Sequence, residues 1–147
     1  MRDYHPLVSV NQTINASPSR VWETVTEKTG VMFMGADVKT DWCEGHPISF
    51  EGVWDGKAFK DKGEVQTVEP QKKIAFTHFS PSSGKTDRPE NYELVSIELK
   101  PSGAGTQVSL TQSRHAHASE PDSSTVAKFE ENWRMMLGKL KEAAEQG

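Results

Sequence analysis

The sequence predicts an α+β domain in which one curved antiparallel sheet of six or seven strands wraps around a long C-terminal helix. Three observations carry that expectation. The middle of the chain is a succession of period-two apolar runs separated by turn residues, as hairpin-linked strands require. Near the end, "FEENWRMMLGKL" (129–140) places Phe129, Trp133, Met136, Leu137 and Leu140 on one helical face. Antiparallel sheets commonly keep one face dry, and this terminal helix is the only predicted element long enough to cover it.

The elements follow in order. "LVSVNQTI" alternates Val8, Val10, Gln12 and Ile14 on one side of a first strand. "ASPSRVWETVTEK" reads as a helix with Ser17 as N-cap, Pro18 in the first turn and Val21, Trp22 and Val25 as its buried stripe. Gly30 stops or kinks it, and "VMFMG" is expected to form a brief second helical turn. "ADVKTDW" is expected as a strand before "PISFEGVW", in which Ile48, Phe50, Gly52 and Trp54 share a face. Asp55-Gly56 is a strong hairpin signal. "FKDKGEVQTVEP" leads through Pro70 to "KKIAFTHF", where Ile74, Phe76 and His78 share a face. Residues 80–91 are a polar loop, rich in Pro and Gly. "YELVSIEL" then aligns Val95, Ile97 and Leu99, and "GTQVSLTQS" aligns Val108, Leu110 and Gln112. The last helix is expected from about Pro121 to Glu145, its apolar positions running from Val126 to Ala144.

Composition narrows the function. At 147 residues the chain fits one domain, 1–147. A net charge of −4 with scattered Lys and Arg argues against nucleic acid as a partner. No stretch is apolar enough for a signal peptide or a membrane span, and the single Cys43 permits no internal disulfide. A reducing cytoplasm is therefore the expected location. Cys43 lacks neighbouring cationic groups in the sequence and reads as an ordinary loop or strand residue. His115 and His117 lack a third ligand at a recognisable spacing, so no metal is expected. Asp87, Arg88, Glu90 and Asn91 read as turn chemistry and surface ion pairs. No catalytic motif appears, no catalytic residue is assigned and no cofactor is expected.

Several segments taken together, in this order, resemble a known family. They are "INASPSRVWETVT" (14–26), "FMGADVKTDWCEGHPISFEGVWDG" (33–56), "DKGEVQTVEPQKKIAFTHFSP" (61–81), "DRPENYELVSIEL" (87–99), "GTQVSLTQ" (105–112) and "ENWRMMLGKLK" (131–141). The chain resembles START-like (SRPBCC) helix-grip domains, within them the group named after activators of the 90-kDa heat-shock protein ATPase. It departs from that pattern at "KTGVMFMG", which is shorter and supplies Met32, Phe33 and Met34. The resemblance implies a cavity between sheet and helix that holds a lipid, sterol, polyketide-like or other small apolar or amphipathic ligand.

By that implication the ligand-lining candidates are Trp22, Phe33, Phe50, Trp54, Phe76, His78, Val95, Ile97, Leu110, Gln112, Phe129, Trp133 and Met136. The aromatic and methionine members could equally be solid core. Strand parity puts three polar groups on the concave face, Gln12, His78 and Gln112, where burial demands partners. Two other functions follow from the resemblance: a chaperone cofactor, and a cyclase- or hydrolase-type enzyme using the same cavity. Well-described activators carry an extra N-terminal domain, and none is expected ahead of a first strand that begins at Leu7. An open sheet also has edges to protect, which makes homodimerisation an expected assembly.

Overall fold

The computed structural model describes residues 4–28, 30, 33, 35–118 and 120–146, and only the backbone of Trp54 and Ser82. The order is β1 (Tyr4–Ile14), α1 (Pro18–Glu27), β2 (Asp37–Lys39), β3 (Pro47–Trp54), β4 (Lys57–Glu69), β5 (Lys73–His78), β6 (Glu93–Ser102), β7 (Gly105–His115) and α2 (Ser123–Gln146). Two 3-10 turns, Pro81–Ser83 and Pro89–Asn91, punctuate the polar loop before β6. The strands form one seven-stranded antiparallel sheet in the order β1-β7-β6-β5-β4-β3-β2. With α2 lying across it, this is the α+β helix-grip arrangement that the sequence predicts.

Local chemistry sets the hairpins and caps. Asp55 and Gly56 have φ of 52° and 77°, and Trp54 pairs with Lys57, so β3 and β4 are joined by a two-residue turn of the primed kind. Ser17 caps α1 through its hydroxyl, which accepts the N–H of Arg20 at 3.2 Å. Asp122 caps α2, its Oδ1 accepting the Thr125 N–H at 2.8 Å.

The sheet bends where β4 passes from β3 to β5. Its register slips between Val65 and Thr67, a bulge that increases twist. Gly63 sits just before the slip, and a Cβ there would lie 1.7 Å from the Thr77 carbonyl oxygen. Only glycine admits so close an approach of two strands.

Two expectations shift. The strand expected over 36–42 is confined to Asp37–Lys39, because Trp42 takes φ 56° and residues 40–46 form a loop tied by Asp41, Thr40 and Glu44 side chains. The second helical turn expected over 31–35 falls mostly outside the described residues.

The core sits between α2, α1 and the sheet. Val10, Ile14, Val21, Val25, Val108, Leu110, Leu137, Leu140 and Ala144 are all at most 1% exposed. The closest backbone neighbours of α2 are β1 and α1. Arg20 Nε donates to the Ala144 carbonyl at 2.8 Å, and Glu145 accepts the Asn15 N–H at 2.8 Å. The C-terminal half of α2 is thereby pinned.

Candidate functional site

A cavity of about 470 Å3 opens between the N-terminal half of α2 and strands β3 to β7. Its apolar wall is built by strand parity. Phe50 on β3 and Phe76 on β5 face inward beside Phe33, with ring centroids 5.4 to 5.9 Å apart in tilted and edge-to-face pairs. Val95 on β6 and Phe59 on β4 extend this wall. Phe59 can enter because its cross-strand partner is Gly52, whose missing side chain leaves room for the ring. The roof is one helical stripe, Phe129, Trp133 and Met136, at steps of four and three.

The polar wall lies across β4, β5, β6 and β7. Asp61 stands opposite Phe50 in register, His78 opposite Glu93, and Gln112 opposite Val95. His78 Nε2 lies 2.9 Å from Asp61 Oδ2, and the two side chains are 27% and 15% exposed. A second chain runs from roof to floor: Trp133 Nε1 donates to Gln112 Oε1 at 2.7 Å, and Gln112 Nε2 donates to Glu93 Oε2 at 2.9 Å. Gln112 is only 5% exposed, so both ends of its amide are satisfied. Asp61 Oδ1 is different. Among the described residues it is the buried side-chain polar atom without a hydrogen-bond partner.

Nine of the thirteen candidates line this cavity: Phe33, Phe50, Phe76, His78, Val95, Gln112, Phe129, Trp133 and Met136. Four are not placed there. Ile97 and Leu110 are fully buried in the solid part of the core, paired with one another across β6 and β7. They share a face with Val95 and Gln112 but lie one inward position farther along. Trp22 packs half-buried on α1 against the core. The Trp54 side chain, like Met32 and Met34, lies outside the described residues. Gln12 is not an anchor either, since its amide donates to the neighbouring Thr13 carbonyl at 3.1 Å.

The residues missed divide by cause. Asp61 and Glu93 share the parity of Val65 and Val95: Glu93 lies one inward position from Val95, and Asp61 two from Val65, past Gly63. Ala36, Lys57 and Ala58 come from turns and strand ends at the mouth, and Asn132 flanks the helical stripe. No periodic signal marks these.

Away from the cavity, the loop chemistry expected of Asp87 to Asn91 is present. Asp87 accepts the Tyr92 hydroxyl at 2.6 Å and pairs with Lys62, which holds its carboxyl below the ordinary range. Asp41, Cys43 and His46 place one ligand-type atom each within 4.8 Å of one another on the exposed 40–46 loop, a grouping the sequence reading passed over. His46 Nδ1 lies 2.7 Å from Asp41 Oδ2. Local desolvation, then the charge of Asp41, pushes the Cys43 thiol up, which disfavours the thiolate.

Comparison with known proteins places this geometry. The family model described as "Activator of Hsp90 ATPase homolog 1-like protein" matches residues 15–145. The solution structure of ChR145 from Cytophaga hutchinsonii is 35% identical, with 95% of this chain and 93% of that one covered and a TM-score of 0.77. MLL2253 from Mesorhizobium loti is 22% identical, with 95% and 96% covered and a TM-score of 0.72. A structure described as the Aha1 dimer from Colwellia psychrerythraea is 20% identical, with 94% and 95% covered and a TM-score of 0.67. The last two speak to the fold alone. No curated protein matches the chain significantly. Among the described residues, no helix is long and apolar enough to cross a membrane.

Proposed function

We propose, for a chain that belongs to the activator of Hsp90 ATPase homolog 1-like family, that it binds a small apolar or amphipathic ligand between the sheet and α2. A lipid, sterol or polyketide-like molecule is the class in view. The cavity carries this reading: about 470 Å3 is within the ~300–1,000 Å3 range of small-molecule sites. Left dry and empty, such a volume would forfeit on the order of 10 kcal/mol at ~24 cal/mol per Å3, comparable with the whole stability of a domain at ~5–15 kcal/mol. The space is therefore filled, by water or by a guest. Water alone is a poor match for the wall formed by Phe33, Phe50, Phe76 and Phe129, whereas a guest with an apolar body and a polar end suits both walls.

Native mass spectrometry of the purified protein, followed by titration with a lipid and steroid library, tests the proposal. A bound molecule displaced by cavity-filling substitutions is the expected result. Failure to retain or bind any member would remove it.

The family description motivates a second reading, stimulation of the 90-kDa heat-shock protein ATPase. A pulldown with that chaperone and an ATPase assay decide it independently of the cavity. Homodimerisation belongs to the proposal too: β1 is an 11-residue edge strand, and one structural neighbour is described as a dimer. Light scattering on the purified protein measures it. The lone Cys43 suits a reducing cytoplasm.

A further inference from the structure

Resting on the ligand reading, we infer that the cavity selects guests whose buried end donates hydrogen bonds, a hydroxyl or an amine, and disfavours carboxylates. The wall opposite the aromatic rings is built of acceptors. Asp61 Oδ2 is engaged by His78 Nε2 at 2.9 Å, while Asp61 Oδ1 is buried with no partner among the described residues. A carboxylate oxygen accepts in this pair, so the His78 Nε2 N–H is the donor and is committed to Asp61. Glu93, opposite His78 across the ladder, brings a second carboxylate to the same wall.

The donors nearby are committed or peripheral. Gln112 gives an amide N–H to Glu93 and has its carbonyl held by Trp133, which fixes which way the amide points. Asn132 on α2 can donate, and Lys57 is an exposed cation at the mouth. The Ser80 hydroxyl also lines the cavity, and Lys57 is the cation at its mouth that would favour an acid, but solvent screens it. A guest carboxylate reaching the buried end would add a third negative charge beside Asp61 and Glu93. A hydroxyl or ammonium group would instead donate to this acceptor wall, reaching Asp61 Oδ1 itself once the side chains that cover it give way. An unmet buried acceptor is costly enough for one matched donor to change affinity by about tenfold or more.

Three probes with the same tail isolate the end group: dodecanol, dodecylamine and dodecanoate, titrated calorimetrically into the purified protein below their micellar concentrations. Dodecanol and dodecylamine are expected to bind about tenfold tighter than dodecanoate or better. The protein's net charge of −4 would also weaken dodecanoate, so the titrations are repeated at high ionic strength, which screens that general field and should leave the dodecanol–dodecanoate gap in place. In Asp61→Asn, which supplies an amide donor at nearly the same volume, the gap should close. On the unmodified protein, the His78 ring signals in NMR should move on saturation with dodecanol, whether or not the variant folds. Dodecanoate binding as tightly as dodecanol would overturn donor selection and leave the ligand reading standing. Unmoved His78 signals at saturation, or a gap unchanged in a folded Asp61→Asn protein, would overturn the assignment to this wall. If none of the three probes and no library member binds, both inferences fall.

Discussion

The two halves of α2 lie over the same sheet and do different work. Toward its C-terminus, Leu137, Leu140 and Ala144 are at most 1% exposed and pack with Val10, Ile14, Val21 and Val25 into a solid core. Toward its N-terminus, Phe129 and Trp133 are only half-buried and, with Met136, roof a hollow. The apolar stripe does not change period between them. What changes is the floor. Branched aliphatic residues on β1 and β7 meet the solid half, whereas rings, carboxylates and an imidazole on β3 to β6 meet the other. One continuous amphipathic stripe can thus be core at one end and lid at the other.

The strongest way to break this comparison is to truncate one side chain at each end. Leu140→Ala is expected to cost about 2–5 kcal/mol, because a fully buried position pays both the transfer and the cavity terms. Phe129→Ala removes a larger side chain, yet it should cost only about 1–2 kcal/mol because the ring already borders open space. Chemical denaturation of both variants supplies the numbers. Equal losses would mean that the hollow is closed in solution and the two ends are alike.

Adding volume sharpens the contrast with a smaller effect. Val10→Phe forces a ring into packed surroundings and should destabilise by about 1–3 kcal/mol. Val95→Phe places the same ring against free space and should change stability by less than about 1 kcal/mol. It should also lower the affinity of any cavity ligand. A Val95→Phe protein that loses as much as Val10→Phe would show that no usable space exists beside β6.

How much of this was legible in the sequence depends on the kind of signal. Period-two alternation placed β3, β5, β6 and β7 with their inward faces correct, since burial on one side of a strand is a local pattern. The Ser17 cap and the Asp55-Gly56 turn were legible for the same reason. Distance along a strand was not. Val95 and Ile97 carry the same pattern, but one lines the cavity and the other is packed solid, a difference that alternation along one strand cannot carry. Asp61 shows another limit: a charged residue on an apolar face reads as a strand end until His78, 17 residues on, is seen beside it.

The smallest effect concerns how the lid end is held. The solid end of α2 is fastened by packing and by the Arg20 and Asn15 hydrogen bonds. The lid end begins at Asp122, whose carboxylate accepts the N–H of Thr125 and the hydroxyl of Ser124. These bonds, the Thr125 N–H first, hold the Asp122 carboxyl below its ordinary value of 3.8. A depressed folded-state value means that the cap's contribution is fully present above pH 3.8 and disappears as pH falls through the folded value. Asp122→Ala should therefore speed amide exchange in the first turn of α2 near neutral pH while leaving the turns around Leu140 protected. Below that window the variant and the parent should exchange alike. Uniformly faster exchange along all of α2 would show instead that lid and core open as one unit, and the division between them would be structural only.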